Sequence, residues 1–148
     1  MKIGEALIKE RLITTGELSL ALKEQEIKNE RLGSILMKLG LISSEEMAGF
    51  LAKFFNIPYI RLRDIFKEIK PEVIKLIPEN LARRFTVMPV SLEDNALTIA
   101  MFDPLDVLAV DSIKMKTGYR IKRIISSEKD IIDSIEFCYH GHERMKEH

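Results

Sequence analysis

The sequence has no tryptophan, a single cysteine and few aromatic side chains, and no proline precedes Pro58. With only Cys138 present no intrachain disulfide can form, which fits a reducing compartment and leaves the fold to be held by packing. Scarce aromatics argue against a surface that stacks on single-stranded nucleic acid. The 23 basic and 23 acidic side chains cancel, so the bulk electrostatic footprint of a nucleic-acid binder is missing as well. No apolar run approaches the length that spans a bilayer, and the opening MKIGEALIKERL is broken by charges where a signal peptide needs an apolar stretch. These absences point to a cytoplasmic protein that neither spans a membrane nor binds nucleic acid. A chain of 148 residues suits one domain or two small lobes and can bury a core without a metal.

What is present divides into two halves. Up to residue 57 the apolar residues recur three and four apart: Ile3, Leu7 and Ile8; Leu18 and Leu22; Leu32, Ile35, Leu36 and Leu39; Met47, Phe50, Leu51 and Phe54. That spacing predicts amphipathic helices. All five prolines lie beyond it. There Phe85–Leu92 and Ala96–Met101 are β-branched and apolar around an Asp94-Asn95 turn pair, which predicts a hairpin. Asp103-Pro104 predicts the start of a helix that Gly118 stops, Arg120–Ile125 a third strand, and Ser127 the cap of a last helix running to about Tyr139. The expected fold is α+β: a helical lobe of two helix-hairpin repeats over 1–57, a small lobe over 58–140 with a three-stranded sheet and packed helices, and a frayed tail over 141–148.

The helical half repeats internally. Lys2-Ile3-Gly4 aligns with Arg31-Leu32-Gly33, an offset of 33 − 4 = 29 residues, so that the copies span 2–25 and 31–54. Leu7-Ile8 then faces Leu36-Met37, Leu12-Ile13 faces Leu41-Ile42, and Glu17 faces Glu46. Each copy opens on a basic–apolar–Gly triplet and later carries Thr14-x-x-Glu17 or Ser43-x-x-Glu46, the pattern of a capping box. Leucines and caps are scaffold. The glycines and their cationic neighbours ask for more, since glycine lets a ligand approach the backbone and a helix start beside a cation suits an anion. Two such starts related by a pseudo-twofold would suit a ligand with two phosphates.

Arg31-Leu32-Gly33-x-x-Leu36-Met37-x-x-Gly40-Leu41-Ile42 resembles the repeated motif in the N-terminal domain of type II secretion and type IV pilus assembly ATPases. Phe54-Phe55-Asn56-Ile57-Pro58-Tyr59-Ile60, Leu76–Arg84 and Ala100-Met101-Phe102-Asp103-Pro104 resemble the segments that follow it there, in the same order. The resemblance implies a non-catalytic domain, because no G-x-x-x-x-G-K-[ST] phosphate loop occurs in the chain. It implies docking onto the cytoplasmic part of an inner-membrane platform protein, which would place the chain at that membrane through a partner. The alternative it implies is a cyclic di-GMP receptor module regulating such a motor. No other cofactor is expected.

For cyclic di-GMP the residues carried over are Lys2, Ile3, Gly4 and Gln25 in the first copy and Arg31, Leu32, Gly33 and Gly40 in the second. In the family's ligand-binding version each copy begins Arg-Leu-Gly, has a second glycine at the turn and ends in glutamine. Here Lys2 replaces arginine, Ile3 leucine, Arg11 the second glycine of the first copy, and Phe54 the closing glutamine of the second. Lysine lacks the planar fork of arginine, and phenylalanine cannot hydrogen-bond a guanine edge.

Other clusters read as scaffold. Cys138-x-His140-x-His142 is not a standard metal spacing. Asp103, Asp106 and Asp111 could suggest a cation site, but Asp103-Pro104 is more simply an acid-favouring helix start, and Asp111, a turn or more further in, is left open. Arg83, Arg84, Lys114, Lys116, Arg120, Lys122 and Arg123 fit solvated faces, and no nucleophile–base pairing stands out.

Overall fold

Thr14 and Ser43 start the two longer helices of the first lobe in the same way. Thr14 Oγ1 accepts from the Glu17 N–H at 3.1 Å while Glu17 Oε1 accepts from the Thr14 N–H at 2.8 Å; Ser43 and Glu46 repeat the exchange at 3.0 and 3.1 Å. Both predicted capping boxes are therefore formed. The computed structural model describes residues 2–141, with side chains to residue 140, so the tail expected to fray lies outside the described residues but for the backbone of Gly141.

Four helices make the first lobe: α1 (Ile3–Lys9), α2 (Thr15–Lys28), α3 (Leu32–Lys38) and α4 (Ser44–Phe55). The short ones end identically. After α1 the Arg11 N–H donates to Ile8 O and the Leu12 N–H to Leu7 O; after α3 the Gly40 N–H donates to Met37 O and the Leu41 N–H to Leu36 O. This is the Schellman closure, which satisfies the last carbonyls and needs a left-handed residue at the turn. The lobe's core is built from Leu7, Ile13, Ala21, Ile35, Leu36, Met47, Phe50 and Leu51. Leu22 and Leu39, expected on buried faces by their spacing, are exposed: Leu22 lies beside the buried Ala21 on α2, and Leu39 is the C-cap residue, past the end of α3.

The second lobe follows an irregular connector with two 3-10 turns, Leu62–Asp64 and Phe66–Glu68, and two short helices, α5 (Pro71–Ile74) and α6 (Glu79–Phe85). Phe85, expected in a strand, closes α6, and Thr86 at φ 51° turns the chain into β1 (Val87–Glu93). Strand β2 (Ala96–Met101) returns antiparallel through Asp94 and Asn95, both left-handed as a two-residue hairpin turn demands. Pro89 has no N–H to give, and the register slips between Pro89 and Ser91 on this edge strand. Helix α7 (Val107–Thr117) crosses over to β3 (Arg120–Ile125), which runs parallel to β2. Helix α8 (Glu128–Glu136) is capped by Ser127 and runs on into a wide turn, Phe137–Gly141. The sheet order is β1-β2-β3. The expected α+β class, with two helix hairpins and a three-stranded sheet under packed helices, is what forms.

A further expectation fails locally. Asp103-Pro104 does not open α7. Asp106 does, its Oδ1 accepting from the Ala109 N–H at 3.0 Å, while Asp103 Oδ1 accepts from the Leu105 N–H at 2.9 Å in a separate turn. Both aspartates can cap; the Asp103 carboxylate closes its own turn on the Leu105 N–H, and the helix begins at the next aspartate, Asp106.

Helix α4 serves both lobes. Met47, Phe50 and Leu51 enter the first core, and Ala48 and Ala52 enter the second with Val87, Leu97, Ile99, Ile113, Ile125 and Ile131. Small residues on its second face let α4 pack close to β3 and α8. A charged clamp reinforces this contact: the buried carboxylate of Asp130 on α8 accepts from both the backbone N–H and Nε of Arg63 at 3.2 Å, and Arg63 Nη2 reaches Glu45 on α4 at 2.9 Å.

Candidate functional site

The loop leaving α2 folds back so that Gln25 lies beside the start of α3, its Nε2 donating to Glu30 O at 3.1 Å. A groove of about 300 Å³ opens there. Five of the eight residues singled out from the sequence line it: Ile3 and Gln25 from the first copy, Arg31, Leu32 and Gly33 from the second. Met47 and Leu51 of α4 form its apolar base. Residues from the second lobe, Phe102, Asp103 and Leu105, form the opposite wall.

Arg31 and Asp103 are the charged residues lining this groove, and they face each other: Arg31 Nε lies 2.9 Å from Asp103 Oδ2. The Asp103 loop is itself anchored, because Arg123 Nη1 donates to Pro104 O at 2.7 Å. Phe102 was legible in the sequence only as part of a resembling segment, and Asp103 besides that as a helix start. Nothing in their spacing from the repeat announces that they meet it.

Three candidates lie elsewhere. Lys2 is exposed and precedes α1, with no side-chain cap bond. Gly4 is buried where α1 crosses α2: a Cβ there would stand 2.8 Å from Leu18 Cδ1, so this glycine admits a neighbouring helix and not a ligand. Gly33 differs, since a Cβ there would meet Met47 Cε at an ordinary 3.5 Å. Gly40 sits at φ 76° as the left-handed turn after α3 and does not line the groove. Phe54, where the motif has glutamine, stacks on Phe50 at 5.5 Å and meets Phe55 edge-on at 5.0 Å. It borders a smaller cleft of about 210 Å³ beside Ala6 and Lys9, spanned by the Lys53–Glu10 pair. The two copies, similar in backbone, therefore present unlike surfaces.

A wider cleft of about 680 Å³ lies on the other side of Arg31, between α3 and α8. Two of its ion pairs stay within one lobe each, Lys38 with Glu30 and Lys129 with Asp133. Elsewhere the expected scaffold roles are visible. The Cys138 thiol donates to Phe66 O, and burial pushes it up to about 11; His140 pairs with Glu79, whose carboxyl Arg83 and His140 hold below its usual range; His142 lies outside the described residues. Among the described residues no set of three or more His, Cys, Asp or Glu side chains could hold a metal ion. The groove offers one guanidinium, one carboxylate, an amide, a hydroxyl and an apolar base, a set suited to binding.

Comparisons with known proteins agree with this architecture. The family model described as the MshEN domain matches residues 55–145. The type IV pilus assembly ATPase PilB of Myxococcus xanthus is 37% identical over 138 residues, covering 93% of this chain and 24% of that protein. Type II secretion system protein E of Xanthomonas campestris is 30% identical, covering 93% of this chain and 25% of that protein. The chain thus spans about a quarter of the length of these relatives. A solved structure of MshE with cdg superimposes with a TM-score of 0.79 at 28% identity, covering 94% of this chain and 99% of that one. The N-terminal domain of XpsE superimposes with a TM-score of 0.74 at 25% identity, covering 89% and 90%. Among the described residues no helix is long and apolar enough to cross a membrane. By its sequence over 55–145 and its fold, the chain belongs to the MshEN domain family of type IV pilus and type II secretion ATPase N-terminal domains.

Proposed function

We propose that this chain is a non-catalytic regulatory domain of a type IV pilus or type II secretion motor, and that its groove binds cyclic di-GMP. The observation that carries the reading is the convergence of Ile3, Gln25, Arg31, Leu32 and Gly33 on one groove, in a fold similar to that of MshE in its cyclic di-GMP complex. The parts suit a nucleotide. The Arg31 guanidinium can stack on a base or fork onto a phosphate. Phe102 adds an aromatic wall, and Gly33 leaves the α3 backbone open to close approach. At about 300 Å³ the groove lies at the lower end of small-ligand sites, which fits one guanosine-phosphate half. The first copy, with Lys2 exposed and Phe54 packed among aromatics, contributes less to the other half, so binding is lopsided and weaker than two intact copies would give.

Calorimetry of the chain with cyclic di-GMP tests this. The expected result is a measurable one-to-one isotherm that loses about tenfold or more in affinity in Arg31→Ala, the scale of a charge-assisted hydrogen bond. No heat at high micromolar ligand would end the reading.

Docking is a second reading, supported by a different surface. Val107, Leu108 and Met115 on α7 are 66, 61 and 87% exposed, an unusual outlay of apolar area on one helix. The partner implied by the family is the cytoplasmic part of an inner-membrane platform protein, which would hold the motor at the membrane from the cytoplasmic side. Leu108→Asp is expected to abolish co-purification with that protein's cytoplasmic part while leaving the circular dichroism unchanged. Retained binding would move docking to another face.

A further inference from the structure

Arg31 and Asp103 belong to different lobes and meet across the groove, Nε to Oδ2 at 2.9 Å. Arg31 is the cation among the groove's lining residues, and its charge is matched by a carboxylate before any ligand arrives. Asp103 cannot easily swing away. Its Oδ1 holds the Leu105 N–H at 2.9 Å, and the next carbonyl, Pro104 O, is gripped by Arg123 Nη1 at 2.7 Å. The loop also carries Phe102 and Leu105 onto the groove, beside the ion pair.

We propose that the Arg31–Asp103 pair is a built-in latch: the loop over 102–105 straps the second lobe onto the repeat, and an anionic ligand enters by taking Arg31 from Asp103. The proposal rests on the cyclic di-GMP reading for the identity of that anion. The physics is competition. A phosphodiester offers Arg31 the same charge and the same acceptor geometry as the carboxylate, so the ligand gains only the difference between the two contacts. The groove charge is zero with the latch in place, so long-range attraction of the ligand is weak and salt changes its affinity little. Unlatched, Arg31 presents one full positive charge.

Asp103→Asn tests it, because asparagine Oδ1 can still accept from the Leu105 N–H while the charge is gone. The variant is expected to bind cyclic di-GMP about two- to fivefold more tightly, the scale of removing one partly exposed ion pair, and to lose affinity more steeply than the parent as salt is raised. Equal or weaker binding by a variant whose circular dichroism is unchanged would overturn the latch and make Asp103 a plain wall or a ligand contact. A second arm needs no ligand. Amide hydrogen exchange over 102–109 is expected to quicken in Asp103→Asn, and unchanged exchange would sink the latch on its own. If neither protein binds cyclic di-GMP, the nucleotide reading fails while the exchange arm still decides the latch.

Discussion

Arg11 and Gly40 occupy the same place in the two copies of the repeat, 40 − 11 = 29 residues apart, and both hold left-handed backbone, at φ 62° and 76°. One copy meets the demand of its Schellman turn with glycine and the other meets it with a side chain that disfavours the conformation by about 1–2 kcal/mol. Glycine gives back part of that as chain entropy. Arg11→Gly is therefore expected to stabilise the domain by about 0.5–1 kcal/mol, and Gly40→Ala to destabilise it by about 1 kcal/mol, both read from urea unfolding midpoints. Equal and small effects at the two sites would show that the turn tolerates either residue.

Gly4 and Gly33 look equivalent in sequence and are not equivalent in space. Alanine at either gains helix propensity of up to about 1 kcal/mol. At Gly4 the new methyl would press on Leu18 at 2.8 Å, whereas at Gly33 it would rest on Met47 at 3.5 Å. Gly33→Ala is expected to keep or raise the melting temperature, and Gly4→Ala to fall below it. If the groove takes a nucleotide, Gly33→Ala should also weaken binding despite the sound fold, a split that separates a ligand-facing glycine from a packing one.

Asp130 is buried, and the Arg63 backbone N–H and Nε both point at its Oδ2. Asp130→Ala leaves those donors without their acceptor at the seam where α4, the connector and α8 meet. A loss of about 1–3 kcal/mol is expected in chemical denaturation. A change within experimental error would mean that water replaces the carboxylate at no cost.

Burial raises the Cys138 thiol to about 11. A thiol so shifted holds its proton in the folded state, so the group favours folding below its unfolded value of about 8.5, and that contribution is lost as the pH rises towards 11. At pH 8 its thiolate fraction is about two orders of magnitude below that of a free cysteine. Alkylation of the native protein is expected to be correspondingly slow and to reach the free-cysteine rate in denaturant. Fast labelling of the native chain would show that the C-terminal turn opens readily.

Local chemistry accounts for what was readable beforehand. Thr14-x-x-Glu17, Ser43-x-x-Glu46, Asp94-Asn95 and Gly118 each act within about four residues of themselves, through backbone hydrogen bonds that a short window of sequence specifies. The misplaced start of α7 and the early start of β1 arose where two local signals competed, Asp103 against Asp106 and Phe85 as helix end against strand start. Leu22 and Leu39 looked inward by spacing alone, but how far a stripe turns toward the core depends on the partner helix, and Leu39 falls at the cap where α3 has ended.

The sequence by itself determined the repeat, its caps and turns, the order of strands and helices, and the family to which they belong. The tertiary structure alone decided which face of the repeat became a groove. It set Gln25 of one copy beside Arg31 of the other, filled Gly4 with Leu18, packed Phe54 among aromatics, and brought Asp103 onto Arg31 across 103 − 31 = 72 residues of chain. The reason is physical. Caps and turns are closed by neighbours along the chain, whereas the groove is closed by α4 packing into two cores at once, and the lobe angle that follows from that packing leaves no periodic trace in the sequence.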